Sequence, residues 1–198
     1  MKYLFGLAGL LFFLTLSLTQ CVRNGQKQPE MQDPVISKIA GYLEREGENG
    51  FSGTVLVKVP GQPVFTAAYG FSNEEQNIRN TSETVYDIGS LTKQFTAAAI
   101  LKLEMAGSLS VNDKIGRYLP DMQSDKSEIT VHQLLTHTSG LPFQIGTDNE
   151  VISRTDLIRR VSESTLASRP GESYLFSNVG YNLLGVIIEE VSGMKYEK

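Results

Sequence analysis

Cysteine and histidine are nearly missing from this chain. Cys21 is the single cysteine, and His132 and His137 are the two histidines, among 198 residues. One cysteine closes no internal disulfide, and Cys/His clusters that would hold a structural or catalytic metal are absent; no cofactor is expected. Positive charge is not in excess: 18 Lys and Arg stand against 22 Asp and Glu, a net charge of −4. Without a basic face, nucleic acid is excluded as an expected partner. The Gly-x-Ser-x-Gly elbow is also lacking, so a Ser-His-Asp triad on either histidine has no turn to hold its nucleophile. Structural hydrogen bonds are the expected role of both histidines. Glu104 and Asp113 have no partner that points to glycosidase chemistry. No internal repeat or low-complexity tract occurs. What remains is a chain of globular composition, 40% hydrophobic and 20% charged, long enough for one domain with a sizeable core.

The longest apolar run, Tyr3 to Leu18, follows Lys2 and has the length of a signal-peptide core, short for a membrane span. Cys21 stands directly behind it and resembles the lipidated cysteine of bacterial lipoproteins, with Leu18-Thr19-Gln20 in the lipobox slot. Gln20 departs from the small residue that motif has. The expectation is a signal peptide over residues 1–20, a lipid anchor on Cys21, and a polar tether over 21–33. The protein is then exported to the periplasm or cell envelope and held at a membrane. The alternative is a plain signal or uncleaved anchor with an incidental cysteine.

Beyond the tether, Pro34 to Glu46 has amphipathic periodicity, with Val35, Ile36, Ile39, Tyr42 and Leu43 on one side. Phe51–Val59 and Val64–Tyr69, separated by Pro60-Gly61, predict a β-hairpin. Helical segments are expected from Ser90 to a stop at Gly107, and over 112–119, 130–135, 151–161 and 180–191. Two strands followed mostly by helices indicate an α+β fold.

The tetrad Ser90-Leu91-Thr92-Lys93 carries the first chemical signal. Residues at i and i+3 share one helix face, so the hydroxyl and the amine come within hydrogen-bond reach. A helix start also offers unpaired N–H groups and the positive end of the dipole. About one Ser-x-x-Lys is expected by chance in a chain of this size, and Ser192-Gly193-Met194-Lys195 is a second copy. That copy follows an apolar helical run and precedes a glycine stop, which puts Ser192 at the wrong pole for an oxyanion. Ser90 instead precedes an apolar run through Leu101, which predicts a helix buried nearly all round and a lysine whose pKa burial lowers. The alternative is that Ser90 is simply an N-cap.

Three stretches together resemble the penicillin-recognising serine hydrolases, in particular the class C β-lactamase-like branch. They are Tyr86-Asp87-Ile88-Gly89-Ser90-Leu91-Thr92-Lys93-Gln94-Phe95-Thr96, the Ile129–Pro142 stretch containing Leu134-Leu135-Thr136-His137-Thr138-Ser139-Gly140, and Pro170–Gly185 containing Tyr174-Leu175-Phe176-Ser177-Asn178. The resemblance implies a β-lactamase/transpeptidase-like fold over 34–198, an antiparallel sheet flanked by helices plus a helical region. It implies Ser90 as nucleophile, Lys93 as its base, an acyl-enzyme, and an oxyanion held partly by the Ser90 N–H. The loop around His137 is architectural in the family. Small molecules or peptidoglycan peptides are the implied substrates.

Two departures stand out. The family's relay tyrosine, in Tyr-x-Asn, is matched by Phe176, which has no hydroxyl; Ser177 or Tyr174 are the possible substitutes, and Asn178 retains its capacity to bond Lys93 and a substrate amide. The family's third motif, a Lys-Thr-Gly or His-x-Gly triplet, does not occur. The chain therefore reads as the N-terminal portion of a larger enzyme, incomplete at its C-terminus, with an unpaired hairpin edge. The 198-residue product alone is expected to be poorly stable and inactive. The leading function is an exported serine acyl-hydrolase acting on β-lactam, ester or D-amino-acid peptide substrates. The alternatives are a D-alanyl-D-alanine carboxypeptidase or esterase, and a non-catalytic envelope protein that binds without turnover.

Overall fold

The computed structural model describes residues 34–122, 124–147 and 150–198. The expected signal peptide, Cys21 and tether lie outside these described residues. The chain divides into two units, one ending at Val85 and the other beginning at Tyr86.

In the first unit, α1 (Pro34–Glu48) opens on proline, whose fixed φ and missing N–H suit a helix's first turn. Its buried stripe is Ile36 and Ala40, flanked by Ile39 and Leu43, and it packs with Phe65, Val57 and Ala67. Val35 and Tyr42, expected on the same side, are exposed, so the apolar stripe is narrower than the periodicity suggests. The predicted hairpin forms: β1 (Gly53–Val57) pairs antiparallel with β2 (Phe65–Tyr69), Gly53 opposite Tyr69 and Val57 opposite Phe65. In its turn the Gln62 N–H donates to Val59 O at 3.1 Å, and Gly61 takes a φ of +77° that other residues avoid. A second hairpin, β3 (Phe71–Asn73) with β4 (Ile78–Arg79), was not signalled by hydrophobic alternation. It is fastened by Asn80, whose carboxamide donates to Ser52 Oγ at 2.9 Å and to Tyr69 O at 2.8 Å.

The second unit is mostly helical. A 3₁₀ turn, Gly89–Leu91, leads into α2 (Thr92–Met105). After α2 come α3 (Ser124–Ser127), α4 (Val131–Leu135), α5 (Arg154–Glu163) and α6 (Asn178–Ser192). The core gathers on α6: Val179, Leu183, Leu184 and Ile187 are fully buried, with Ile100 from α2, Leu134 from α4 and Val161 from α5. Full burial of each such side chain contributes about 1.5–3 kcal/mol. Thr130 and Gln133 form a reciprocal capping box at the start of α4, and Ser153 caps α5, which therefore begins three residues later than its apolar pattern.

Two expectations are corrected. The segment 112–119 holds only a 3₁₀ turn, Ile115–Arg117. Asp113 Oδ2 accepts the Ser110 N–H at 2.9 Å, and the Ile115 N–H donates to Ile129 O at 2.7 Å. These bonds compete with helical ones. The helix α2 is not buried all round: Thr96 and Ile100 are buried, whereas Phe95 is 67% and Met105 88% exposed. Of the described elements, α6 is the one packed extensively along it.

Candidate active site

The first turn leading into α2 sets the geometry around Ser90. Asp87 Oδ1 accepts the Gly89 N–H at 2.7 Å, and Gly89 adopts a φ of +50°. That tight entry leaves Ser90 exposed on the 3₁₀ turn, one helical turn before Lys93. Neither that turn nor α2 is capped by a side chain. The Ser90 hydroxyl instead accepts a hydrogen bond from Lys93 Nζ at 3.1 Å. The plain N-cap alternative therefore fails, and the two tetrad side chains meet as i, i+3 spacing requires.

Lys93 is half-buried beneath aromatic rings. Its Nζ lies 5.2 Å from the centroid of Phe176 and 5.7 Å from that of Tyr181. Burial lowers its pKa from the ordinary lysine value. The two ring faces favour the ammonium and limit that fall. A partly desolvated amine against a serine hydroxyl has the chemistry a nucleophile–base pair requires: once neutral, such an amine can accept a hydroxyl proton.

Phe176 and Ser177 enter from irregular backbone just before α6 and Asn178 opens that helix, with the His137 loop as their template. The Leu175 N–H donates to His137 O at 2.8 Å, the Gly171 N–H to Thr138 O at 2.7 Å, and the Asn178 N–H to Phe143 O at 2.8 Å. In the same sense the Ala167 N–H donates to Gly140 O at 2.8 Å. The second and third sequence motifs are thus zipped together through their backbones without forming a sheet.

Within this frame, Ser177 is wholly buried and caps α6. Its hydroxyl donates to Pro142 O at 2.7 Å and accepts the Gly180 N–H at 3.1 Å. Its proton is committed, so it is not placed to relay one for Lys93. Asn178 is half-buried, and among the described residues its carboxamide makes no hydrogen bond to Lys93. Tyr174 is exposed and stands edge-on to His137, ring centroids 5.9 Å apart. The duplicate Ser192 ends α6, beside Gly193 at a φ of +68°, and accepts the Met194 N–H; it faces the negative pole, as expected. His132 is exposed on α4.

His137 has the structural hydrogen-bonding role expected of it, and fills that role beside Lys93. It stacks on Phe176 at 4.5 Å and lies tilted against Tyr181 at 5.0 Å, and its Nδ1 accepts the Ser177 N–H at 3.1 Å. Burial first, and then the nearby Lys93 charge, lowers its pKa. Its one sequence signal was the loop Thr-His-Thr-Ser-Gly; only the backbone path shows that the loop folds against Lys93. Among the described residues, no group of acidic, histidine or cysteine side chains could hold a metal ion.

Residues 35–198 match the Beta-lactamase family model. The chain belongs to that family. Protein flp of Staphylococcus aureus (strain COL) is 33% identical over 153 residues, covering 73% of this chain and 31% of that protein. A penicillin binding protein structure from Bacillus halodurans superposes with a TM-score of 0.66 at 30% identity, covering 79% of this chain and 51% of that one. A class C β-lactamase mutant with a tyrosine-to-phenylalanine substitution gives a TM-score of 0.72 at 27% identity, covering 86% and 48%. The fold is therefore the β-lactamase/transpeptidase type, and the chain spans about a third to a half of the length of these family relatives.

Proposed function

We propose that Ser90 and Lys93 form the acylation centre of an exported serine acyl-hydrolase of this family, working through an acyl-enzyme on β-lactam, ester or D-amino-acid peptide substrates. The observation that carries the reading is the 3.1 Å hydrogen bond between Lys93 Nζ and Ser90 Oγ. Lys93, once neutral, takes the hydroxyl proton; Ser90 Oγ attacks the carbonyl; the Ser90 N–H, a first-turn donor, holds part of the oxyanion charge. Export rests on residues 1–20, and membrane attachment on a lipidated Cys21.

Phe176 favours a second version of this function, in which the site acylates but turns over slowly and acts as a binder in the envelope. No hydroxyl stands at position 176 to pass a proton onward from Lys93. A fluorophosphonate carries its own leaving group and so reads the nucleophile without demanding a complete oxyanion hole. The 198-residue chain is expected to be inactive in turnover, and intact-mass analysis is expected to find at most inefficient labelling: one slow adduct, on Ser90, absent from Ser90→Ala. A wild-type chain that stays unlabelled, or a Ser90→Ala chain that labels equally, overturns the assignment.

A further inference from the structure

We infer that His137 is a positioning residue of this site, whose neutral imidazole holds the Phe176–Asn178 turn against Lys93, so that protonation of His137 loosens the turn. The inference rests on the acylation-centre reading above and adds a pH-dependent regulation to it. Three observations carry it. First, Nδ1 accepts the Ser177 N–H at 3.1 Å, so the ring's single proton sits on Nε2. Second, the ring lies against both aromatic walls that cover Lys93, Phe176 at 4.5 Å and Tyr181 at 5.0 Å. Third, the His137 backbone takes a φ of +58° while its carbonyl accepts the Leu175 N–H at 2.8 Å. A non-glycine residue is held in that region only where its surroundings compensate.

Adding a proton to Nδ1 sets two N–H donors face to face. The Ser177 amide then loses its acceptor, and a new positive charge faces Lys93. Lys93 comes from α2, Tyr181 from α6 and Tyr174 from the preceding segment; burial and Lys93 disfavour the imidazolium, against the pull of the Phe176 and Tyr181 ring faces. The Tyr181 hydroxyl is already donated to Leu135 O at 3.1 Å. The lowered pKa agrees in sign, since the folded state resists the proton.

Two variants separate positioning from mere packing. His137→Asn keeps an acceptor for the Ser177 N–H and tolerates positive φ, but does not titrate. His137→Gly tolerates the φ and offers no acceptor. In proton–nitrogen spectra of the full chain, the Ser177 amide is expected to shift with the same midpoint as the His137 imidazole. That shift is expected to vanish in His137→Asn, with the amide already displaced in His137→Gly at neutral pH. A Ser177 amide that ignores the His137 titration, or titrates equally in His137→Asn, overturns the inference.

The kinetic readout is the fluorophosphonate labelling rate against pH. A lysine base alone gives a slope of about one in log rate per pH unit. Inactivation by His137 protonation raises it toward about two below the His137 midpoint, and one pH unit below that midpoint the wild type falls about tenfold behind His137→Asn. Equal slopes overturn the inference while leaving Ser90 as nucleophile. Absent labelling with an intact Ser177 titration overturns the nucleophile and leaves the histidine–turn linkage standing.

Discussion

Two influences pull the Lys93 pKa in opposite directions. The proposed base role needs a neutral amine, yet Lys93 faces two aromatic rings that favour the ammonium. Burial holds it below the ordinary lysine range, so the neutral fraction grows about tenfold per pH unit from neutrality and levels off before that range is reached. Labelling of Ser90 is expected to follow this curve. Lys93→Arg keeps a charge at every accessible pH and loses the base; its labelling rate is expected to fall on the order of 10²-fold, measured by the same adduct assay. Phe176→Tyr is the complementary change. The ring is partly exposed, so a hydroxyl is accommodated without burial of an unpaired polar group. It stands over Lys93, and a restored relay is expected to raise acylation on the order of 10²-fold. An unchanged rate, with Lys93 still required, identifies the amine as sufficient by itself.

At the scale of elements, the decisive unit is neither helix nor strand but the loop 137–143 zipped to 167–178. Gly140 anchors it. At a φ of +73°, a Cβ there would stand 2.1 Å from Ser168 O, so Gly140→Ala meets both backbone strain and a collision with main chain. It is expected to lower stability by about 3 kcal/mol or more, seen as a lower urea midpoint. By contrast, Thr130→Ala removes only half of a capping box and is expected to cost about 1 kcal/mol. The helices α1, α5 and α6 were legible from their apolar spacing, although the Ser153 and Ser177 caps that set the starts of α5 and α6 were not, and the β1–β2 hairpin because Pro60-Gly61 punctuates it. The β3–β4 hairpin was not legible, because two exposed residues pair with a bulged strand and leave no alternation to read. Ser90 and Lys93 were legible from a spacing of three. The hydrogen-bonding role of His137 was legible but its partner was not, because it depends on a chain reversal across about 40 residues that no local pattern encodes, and Ser177 looked like a spare hydroxyl until its cap bonds were visible.

For the whole molecule, the notable property is how much apolar surface it shows. Leu91, Phe95, Leu101 and Met105 all lie on or beside α2 and are exposed, as are Leu56 on β1 and Val64 before β2. Among the described residues, β1 and β2 pair only with each other. Such surface favours association and dye binding. Phe95→Gln combined with Met105→Lys is expected to reduce self-association in sedimentation and to lower fluorescence of an apolar dye, while the unfolding free energy stays within about 0.5 kcal/mol. This is also where the sequence misled: a helix apolar nearly all round was read as buried, because periodicity reports what a helix can cover and not which partner is there to cover it. The zipped loop has a different, evolutionary consequence. The bonds that fix residues 174–178 run through main-chain groups, His137 and the Ser177 hydroxyl, and none uses the side chain at position 176. A tyrosine ring there keeps the ring contacts with His137, Phe143 and Lys93, so the exchange is expected to leave the fold standing and to change the chemistry. A lineage can discard the relay hydroxyl, or recover it, in a single substitution with no unstable genotype in between.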